Sequence, residues 1–275
     1  MNNSLLFTLY RLTAHSLPMF PAPHDKATLL RYAIISSPHL NIRGYTWRIA
    51  NVETINTDAI HFCIGRNGTR SLPSTDPTGR FVEEEAEITP FTYAITDVYY
   101  QLCAIAHRPS LGARPNTIAN NLTRLLSASP IASEHNVRFA ITPIKEPAPF
   151  LQRIQKAETV TRIWITTLRP NPFDEEEDFI EPIARSIDKI HAESAKTTWS
   201  GDFLNKHSTT LARVVEGTAA RGGDAGARIR ETGESRPKNI TMSGSVTLTV
   251  NLPLDNQSLS DWIRSKYHQI RKNLQ

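Results

Sequence analysis

The apolar run LLFTLYRL at residues 5–12 stands near the start of the chain and decides the fold class. A continuous apolar run of this length predicts a buried, central β-strand, and it is broken by Pro18, Pro21 and Pro23. A second run, VTRIWITTL at residues 160–168, is the strongest strand signal in the chain. Because helical patterns lie around these two strands, the sequence predicts an α+β protein with two lobes.

The first lobe is predicted to cover residues 1–133, as a β-rich lobe with two helices. Asp25 and either Asn116 or Thr117 are suited to cap the N-termini of these helices. The composition of residues 71–79 predicts a loop. Strand-like segments occupy residues 41–53, 58–65, 80–87 and 91–106, the last as two strands joined near Asp97.

The second lobe is predicted to be a smaller α/β lobe over residues 134–252. It contains an alternating strand at 136–144 and a helix within 179–192. The stretch 217–238 is rich in glycine and arginine, which predicts a mobile segment or an exposed hairpin arm. Residues 253–275 are predicted to form a basic amphipathic helix that packs on the first lobe.

Composition excludes several classes of protein. Of 275 residues, 39% are hydrophobic and 21% charged, so the chain can bury a core and is not wholly disordered. The absence of a long apolar run or a signal peptide predicts a cytoplasmic protein without a membrane span. Two cysteines, Cys63 and Cys103, exclude a disulfide scaffold, and no cofactor is expected.

The charge is modest but unevenly distributed. The net charge is +4, and 22 of the 31 basic residues are arginine, the residue whose planar fork suits phosphate. Residues 134–200 are net acidic and residues 201–275 net basic. Eleven basic residues are predicted to bind nucleic acid through phosphate contacts. They are Arg108, Arg114, Arg124, Arg213, Arg221, Arg228, Arg230, Arg264, Lys266, Arg271 and Lys272.

Catalytic motifs are absent from the sequence: it contains no nucleotide P-loop, G-x-S-x-G elbow, H-E-x-x-H or C-x-x-C pattern. The chain is therefore expected not to be an enzyme. Two features leave open a nucleic-acid-cleaving effector or an RNA-targeting toxin: His107 beside Arg108, and the acidic run at 174–178 as a metal ligand. A third hypothesis is a protein-interaction module whose acidic and basic surfaces fix the partner's register.

A block of the sequence resembles an uncharacterised bacterial family. The block is RPNPF at residues 169–173, followed by Glu177 and Asp178, and similar stretches occur over most of the chain. More distantly, the length and the order of elements resemble the RexA family of phage lambda abortive infection and the B components of the Kiwa anti-phage system. This resemblance implies a two-domain protein that dimerises, binds DNA without strong sequence preference and acts in anti-phage defence. Together with the arginine bias and the basic C-terminal quarter, it leads to the hypothesis that a homodimer binds duplex DNA through phosphate contacts. The resemblance implies no catalytic residues.

Overall fold

The computed structural model describes residues 4–16, 25–168, 181–190, 192–244, 249–253 and 261–265. Strand accounts for 45% and helix for 28% of the structure, which confirms the predicted α+β class. The helices are α1 (Lys26–Ile35), α2 (Pro115–Ser127), α3 (Pro130–Glu134), α4 (Ala148–Lys156), α5 (Glu181–Lys189) and α6 (Thr209–Ala220).

The strands form three antiparallel sheets, of eight, four and two strands. Their bounds are β1 (Ser4–Ser16), β2 (His39–Ile42), β3 (Tyr45–Thr54), β4 (Ala59–Arg66), β5 (Gly68–Thr75), β6 (Phe81–Ile88), β7 (Phe91–Asp97), β8 (Leu102–Ala106), β9 (Val137–Pro143), β10 (Thr159–Leu168), β11 (Ser194–Ser200), β12 (Asp224–Arg230), β13 (Lys238–Thr241) and β14 (Thr249–Pro253).

Strand β1 is an interior strand of the eight-stranded sheet, paired on both sides. On one side, residues 7–11 of β1 pair with β8. On the other side, residues 4–8 pair with β14 and residues 10–16 pair with β9. The sheet continues from β8 through β7, β4 and β3 to β2. A strand that pairs on both sides has no exposed backbone edge, so its buried apolar character follows from its position.

Both faces of this sheet are covered. Tyr10 and Leu12 on one face of β1 pack in a core with α1 and α2. Phe7 and Leu9 on the other face pack with Ile263, which is fully buried in the helical segment 261–265. Because alternate residues of a strand point to opposite faces, a strand between two cores is expected to be mainly apolar on both faces.

The helical segment 261–265 is also tied to the sheet by charge. Arg264 Nε donates to Asp97 Oδ2 and Arg264 Nη2 to Asp58 Oδ2, each at 3.0 Å. The Asp97 side chain is only 2% exposed, and burial raises the pKa of this carboxyl although the hydrogen bonds from Tyr100 and Arg264 act in the other direction. The ion pair therefore neutralises a carboxylate that burial would otherwise disfavour.

The second sheet has the strand order β11-β10-β12-β13. Ile163 and Ile165 of β10 and Ala227 of β12 pack beneath α4 and α6, in a core separate from those of the first sheet. Although β9 and β14 fall within the predicted second lobe, both pair with β1 in the large sheet. The local pattern of these two strands does not reveal which distant strand they pair with.

Most of the glycine-rich stretch 217–238 is packed in the second lobe, while β12 and β13 form a hairpin whose connecting residues 232–237 are exposed. The stretch contains the end of α6, the central strand β12 and the start of β13. Its glycines lie where backbones or side chains come close: a Cβ on Gly223 would lie 2.5 Å from the carbonyl oxygen of Thr166. Gly222 has a φ of +74°, which favours glycine. The packed residues 217–230 differ from the prediction because glycine is typical both of mobile segments and of close packing.

The predicted loop at 71–79 is also wrong in part. Residues 68–75 form β5, which pairs along its whole length with β6 as a two-stranded hairpin. Only the turn remains, where Asp76 Oδ1 accepts hydrogen bonds from the backbone N–H groups of Thr78 and Arg80, each at 2.9 Å. Pro73 is tolerated because the outer edge of a hairpin needs no donor. Phe81, beside the turn, is 92% exposed.

No helix in the described ranges is long and apolar enough to cross a membrane.

Candidate nucleic-acid interface

One face of the second sheet is open. The residues of β11 that point away from the core are exposed throughout, and so are Arg162 of β10 and Arg228 of β12. Between them, Trp164 is half-buried and covers the buried Gly226. A β-bulge between Val160 and Arg162 shifts the alternation, so that Val160 and Ile163 both face the core while Arg162 faces out. Bulges commonly redirect a side chain in this way.

Trp164 lies flat on this open face at the centre of the sheet. A Cβ on Gly226, its neighbour on β12, would lie 2.2 Å from Cε2 and Cζ2 of Trp164, so the indole occupies the space above the glycine. The Lys196 ammonium, on β11, lies 5.3 Å from the centroid of the indole ring. This arrangement presents an aromatic surface with a cation beside it.

Two arginines flank the tryptophan on the same face. Arg162 and Arg228 are direct partners in the pairing of β10 with β12, and both are exposed. Like charges directly opposite each other destabilise a sheet. Neither they nor Lys196 form an ion pair with any residue that the structure describes. The open face therefore carries positive charge that an anion would neutralise.

Three carboxylates of this lobe are paired with other cations. Asp224 on β12 binds Lys145 at 3.0 Å, and Glu158, at the start of β10, binds Arg230 at 3.0 Å. In the turn after β12, Glu231 accepts from Lys238 at 2.7 Å, which with Arg153 lowers the pKa of the Glu231 carboxyl. Asp224 and Glu158 therefore do not neutralise Arg162, Lys196 or Arg228.

The predicted site residues have different environments. Arg228 lies on the open face, Arg213 is exposed on α6 across the core, and Arg221 is the C-cap of α6. Arg230 and Arg264 are in ion pairs within the fold. Three predicted residues lie outside the described residues: Lys266, Arg271 and Lys272. The RPNPF block at 169–173 and the acidic run at 174–178 also lie outside them.

The remaining predicted residues lie on the first lobe. Arg108 follows β8, and its guanidinium carbon is 5.6 Å from the centroid of the Phe91 ring. Arg114 is the exposed N-cap residue of α2, and its side chain makes no capping hydrogen bond. Arg124, in the last turn of α2, lines a cavity together with two arginines that the sequence analysis does not name, Arg43 and Arg66.

Sequence reasoning missed three residues of the open face: Arg162, Trp164 and Lys196. The signal for Arg162 and Trp164 was present in the run VTRIWITTL, since every second residue from 162 onward shares one face. Lys196 shares it through the pairing of Thr166 with Lys196. That pairing is a tertiary property and has no local signal.

The described residues give little geometric support for a catalytic site. Nε2 of His107 is buried and has no hydrogen-bond partner in the structure. His61 is buried beside Tyr93, and burial lowers the pKa of its imidazole. Among the described residues, no group of three or more His, Cys, Asp or Glu side chains is arranged to hold a metal ion.

No protein-family model matches the chain, and no curated protein matches it. The resemblance to the RexA and Kiwa B families therefore stays a prediction from the sequence. No residue role passes to this chain from a relative.

Proposed function

We propose that the protein binds nucleic acid without strong sequence preference, through contacts of arginine and lysine with phosphate. The single observation that supports this is the open face of the second sheet, where Arg162, Arg228 and Lys196 surround Trp164 with no described carboxylate partner. Phosphate contacts do not distinguish one base from another, so such a face provides affinity for nucleic acid without sequence specificity. The resemblance implies DNA as the ligand, and duplex DNA is the form proposed.

The proposal includes a biological role. The protein is proposed to act as a homodimer in defence against phage, as the RexA and Kiwa B resemblance implies. Analytical ultracentrifugation tests the dimer, and a monomer at all concentrations would contradict it. A plaque assay on cells with and without the gene tests the defence role, and equal plating of a panel of phages on both would contradict it.

Salt dependence tests the mode of DNA binding. Each phosphate neutralised on duplex DNA contributes about −0.9 to the slope of log K against log salt concentration. The three cations of the open face predict a slope of about −3. Fluorescence anisotropy of a labelled duplex, titrated at several salt concentrations, measures it. Absence of binding at low salt, or binding that does not change with salt, would contradict the proposal.

Substitutions locate the surface. The variant Arg162→Ala/Arg228→Ala removes two exposed cations from the open face, and we expect a salt slope that is smaller by about 2. Arg213→Ala is the matched control, because Arg213 is an exposed arginine of the same lobe on α6, on the other side of the sheet. If Arg213→Ala weakens binding as much as the double substitution, the open face is not the binding surface.

Single-stranded nucleic acid is a second candidate ligand, favoured by Trp164. Bases stack on exposed aromatic rings of open antiparallel sheets, and each stack contributes about 1–3 kcal/mol. Trp164→Leu keeps an apolar side chain above Gly226 but removes the flat ring. If single strands bind by stacking, this substitution weakens single-strand binding and leaves duplex binding unchanged.

A further inference from the structure

A cavity of about 480 Å³ opens on the first lobe, on a different sheet from the proposed nucleic-acid interface. It lies between the turn that joins β2 to β3 and the helix α2. Its volume lies within the range of about 300–1,000 Å³ that is typical of small-molecule sites. The lining includes three arginines, one tyrosine and two asparagine amides.

The three arginines come from separate elements. Arg43 lies in the β2–β3 turn, Arg66 at the end of β4 and Arg124 in the last turn of α2. None of the described residues that line the cavity is acidic. Positive charges gathered without a counterion repel one another, and an anionic ligand would remove that repulsion.

Arg66 is held in a fixed position by its neighbours. Its guanidinium carbon lies 4.1 Å from the centroid of the Tyr45 ring, and its Nη2 donates to the carbonyl oxygen of Ser110 at 3.4 Å. Its Nε is buried and has no hydrogen-bond partner within the described part of the chain. A buried donor without an acceptor is destabilising, so the fold holds the Arg66 guanidinium in this position at a cost in stability.

The β2–β3 turn supplies independent support. Arg43 has a φ of +54° and precedes Gly44, whose φ is +84°. Two-residue hairpin turns with positive φ at both positions favour asparagine or aspartate before glycine. An arginine at this position is therefore unfavourable for the turn itself, which indicates that its side chain has a role.

The geometry points to a phosphorylated nucleoside as the ligand of this cavity. The phosphate binds the three arginines, since a guanidinium fork matches phosphate oxygens. The base stacks against the Tyr45–Arg66 pair, because nucleobases stack on aromatic rings and on guanidinium planes. The amides of Asn120 and Asn121 supply donors and acceptors for a base edge. A free mononucleotide and the 5′-phosphorylated end of a strand both carry this chemistry.

Isothermal titration with the intact chain tests the proposal. We expect 5′-AMP to bind with one site per chain, at least about tenfold more tightly than ribose 5-phosphate, which lacks the base, and than adenosine, which lacks the phosphate. Absence of 5′-AMP, 5′-GMP, 5′-CMP and 5′-UMP binding at millimolar concentration would overturn the proposal. Equal binding of 5′-AMP and adenosine would also overturn it.

A matched pair of variants places the ligand. Arg124→Ala should weaken 5′-AMP binding at least about tenfold by removing a charged hydrogen bond. Arg48→Ala should not change it, because Arg48 is exposed on β3 but points to the opposite face from Tyr45 and Trp47. Both side chains are exposed, so both variants should fold, and thermal melting checks this. Equal 5′-AMP affinity in the two variants would overturn the assignment to this cavity.

Competition identifies the source of the nucleotide. If chain ends are ligands, a short single-stranded DNA with a 5′-phosphate displaces 5′-AMP better than the same strand with a 5′-hydroxyl. If only free nucleotides are ligands, both strands displace 5′-AMP equally poorly. The Arg162→Ala/Arg228→Ala variant should keep 5′-AMP binding unchanged. Failure of DNA binding at the open face would therefore leave the result of the 5′-AMP titration interpretable.

Discussion

Replacement of Gly226 by alanine is expected to force Trp164 away from the second sheet. A Cβ at position 226 would lie 2.2 Å from Cε2 and Cζ2 of the indole, whereas non-bonded carbons are most stable at about 3.5–4.0 Å. The ring must therefore move by more than about 1 Å, or the sheet must deform. Overpacking of this kind costs about 1–3 kcal/mol, so we expect the free energy of unfolding to fall by that amount.

A double-mutant cycle isolates the cause. In a Trp164→Ala background the space above position 226 is empty, so Gly226→Ala should be neutral there or stabilising by up to about 1 kcal/mol, since glycine is unfavourable in a strand. The coupling free energy between the two substitutions, the difference between these two effects, is therefore expected to be about 1–4 kcal/mol. Urea denaturation followed by circular dichroism measures all four proteins.

The control is a strand glycine that has room for a side chain. A Cβ on Gly68 of β5 would lie 3.6 Å from Cε1 of Tyr45, an ordinary van der Waals contact. We expect Gly68→Ala to change the free energy of unfolding by less than about 0.5 kcal/mol. If Gly226→Ala destabilises equally with and without Trp164, the indole does not lie against this glycine and the aromatic surface of the open face is wrong.

Three further predictions concern the fold. Arg264→Met leaves the buried Asp97 carboxylate without its guanidinium, so we expect the free energy of unfolding to fall by about 2–3 kcal/mol at pH 7. This difference should shrink at acidic pH, where Asp97 is protonated, and urea denaturation at pH 7 and at acidic pH measures it. Asp25→Ala removes the cap of α1 and should cost about 1 kcal/mol. Because the hydrogen bond from the Thr28 N–H lowers the pKa of Asp25, this loss should disappear in urea denaturation as pH falls through the lowered value. Cys63 and Cys103 are buried, and burial raises the pKa of Cys103 to about 12. A thiol-reactive dye should therefore label neither cysteine until urea unfolds the chain. Rapid labelling of the native protein would contradict this burial.

Elements with a strong local pattern could be predicted from the sequence. The interior position of β1 follows from its mainly apolar run. The start of α1 follows from Asp25, whose Oδ1 accepts from the Thr28 N–H at 2.9 Å. Each of these signals lies within a few residues of the element that it predicts. Local interactions alone are therefore sufficient to produce them.

Elements determined by distant partners could not be predicted. The strand β5 lacks apolar alternation, and only its pairing with β6 makes it a strand. The location of β9 depends on pairs such as Tyr10 with Pro143, and that of β14 on pairs such as Leu6 with Asn251. A single sequence carries the pattern of each strand but not the identity of its partner.

The candidate site was predicted in part for the same reason. Arg228 was named from its place in a basic stretch, but its partner Arg162 lies on another strand beside a β-bulge. Gly226 lies in the stretch for which the sequence predicts mobility or an exposed arm. Its packing partner, Trp164, belongs to β10 and is distant in the chain, so the local sequence does not show that this glycine is closely packed. The number of charged residues can be read from the sequence, whereas which charged residues lie next to one another in the fold cannot.

The small net charge of +4 conceals two separate positive sites. Carboxylates such as Glu158 and Asp224 are held by Arg230 and Lys145, so they do not neutralise the open face of the second sheet. The arginine cavity lies on the first sheet and shares no lining residue with that face. If the two sites are independent, Arg43→Ala/Arg124→Ala must leave the salt slope of duplex binding unchanged. A slope that falls with this variant would instead mean that both sites contact one DNA molecule, and the cavity would then be part of a continuous phosphate-binding surface.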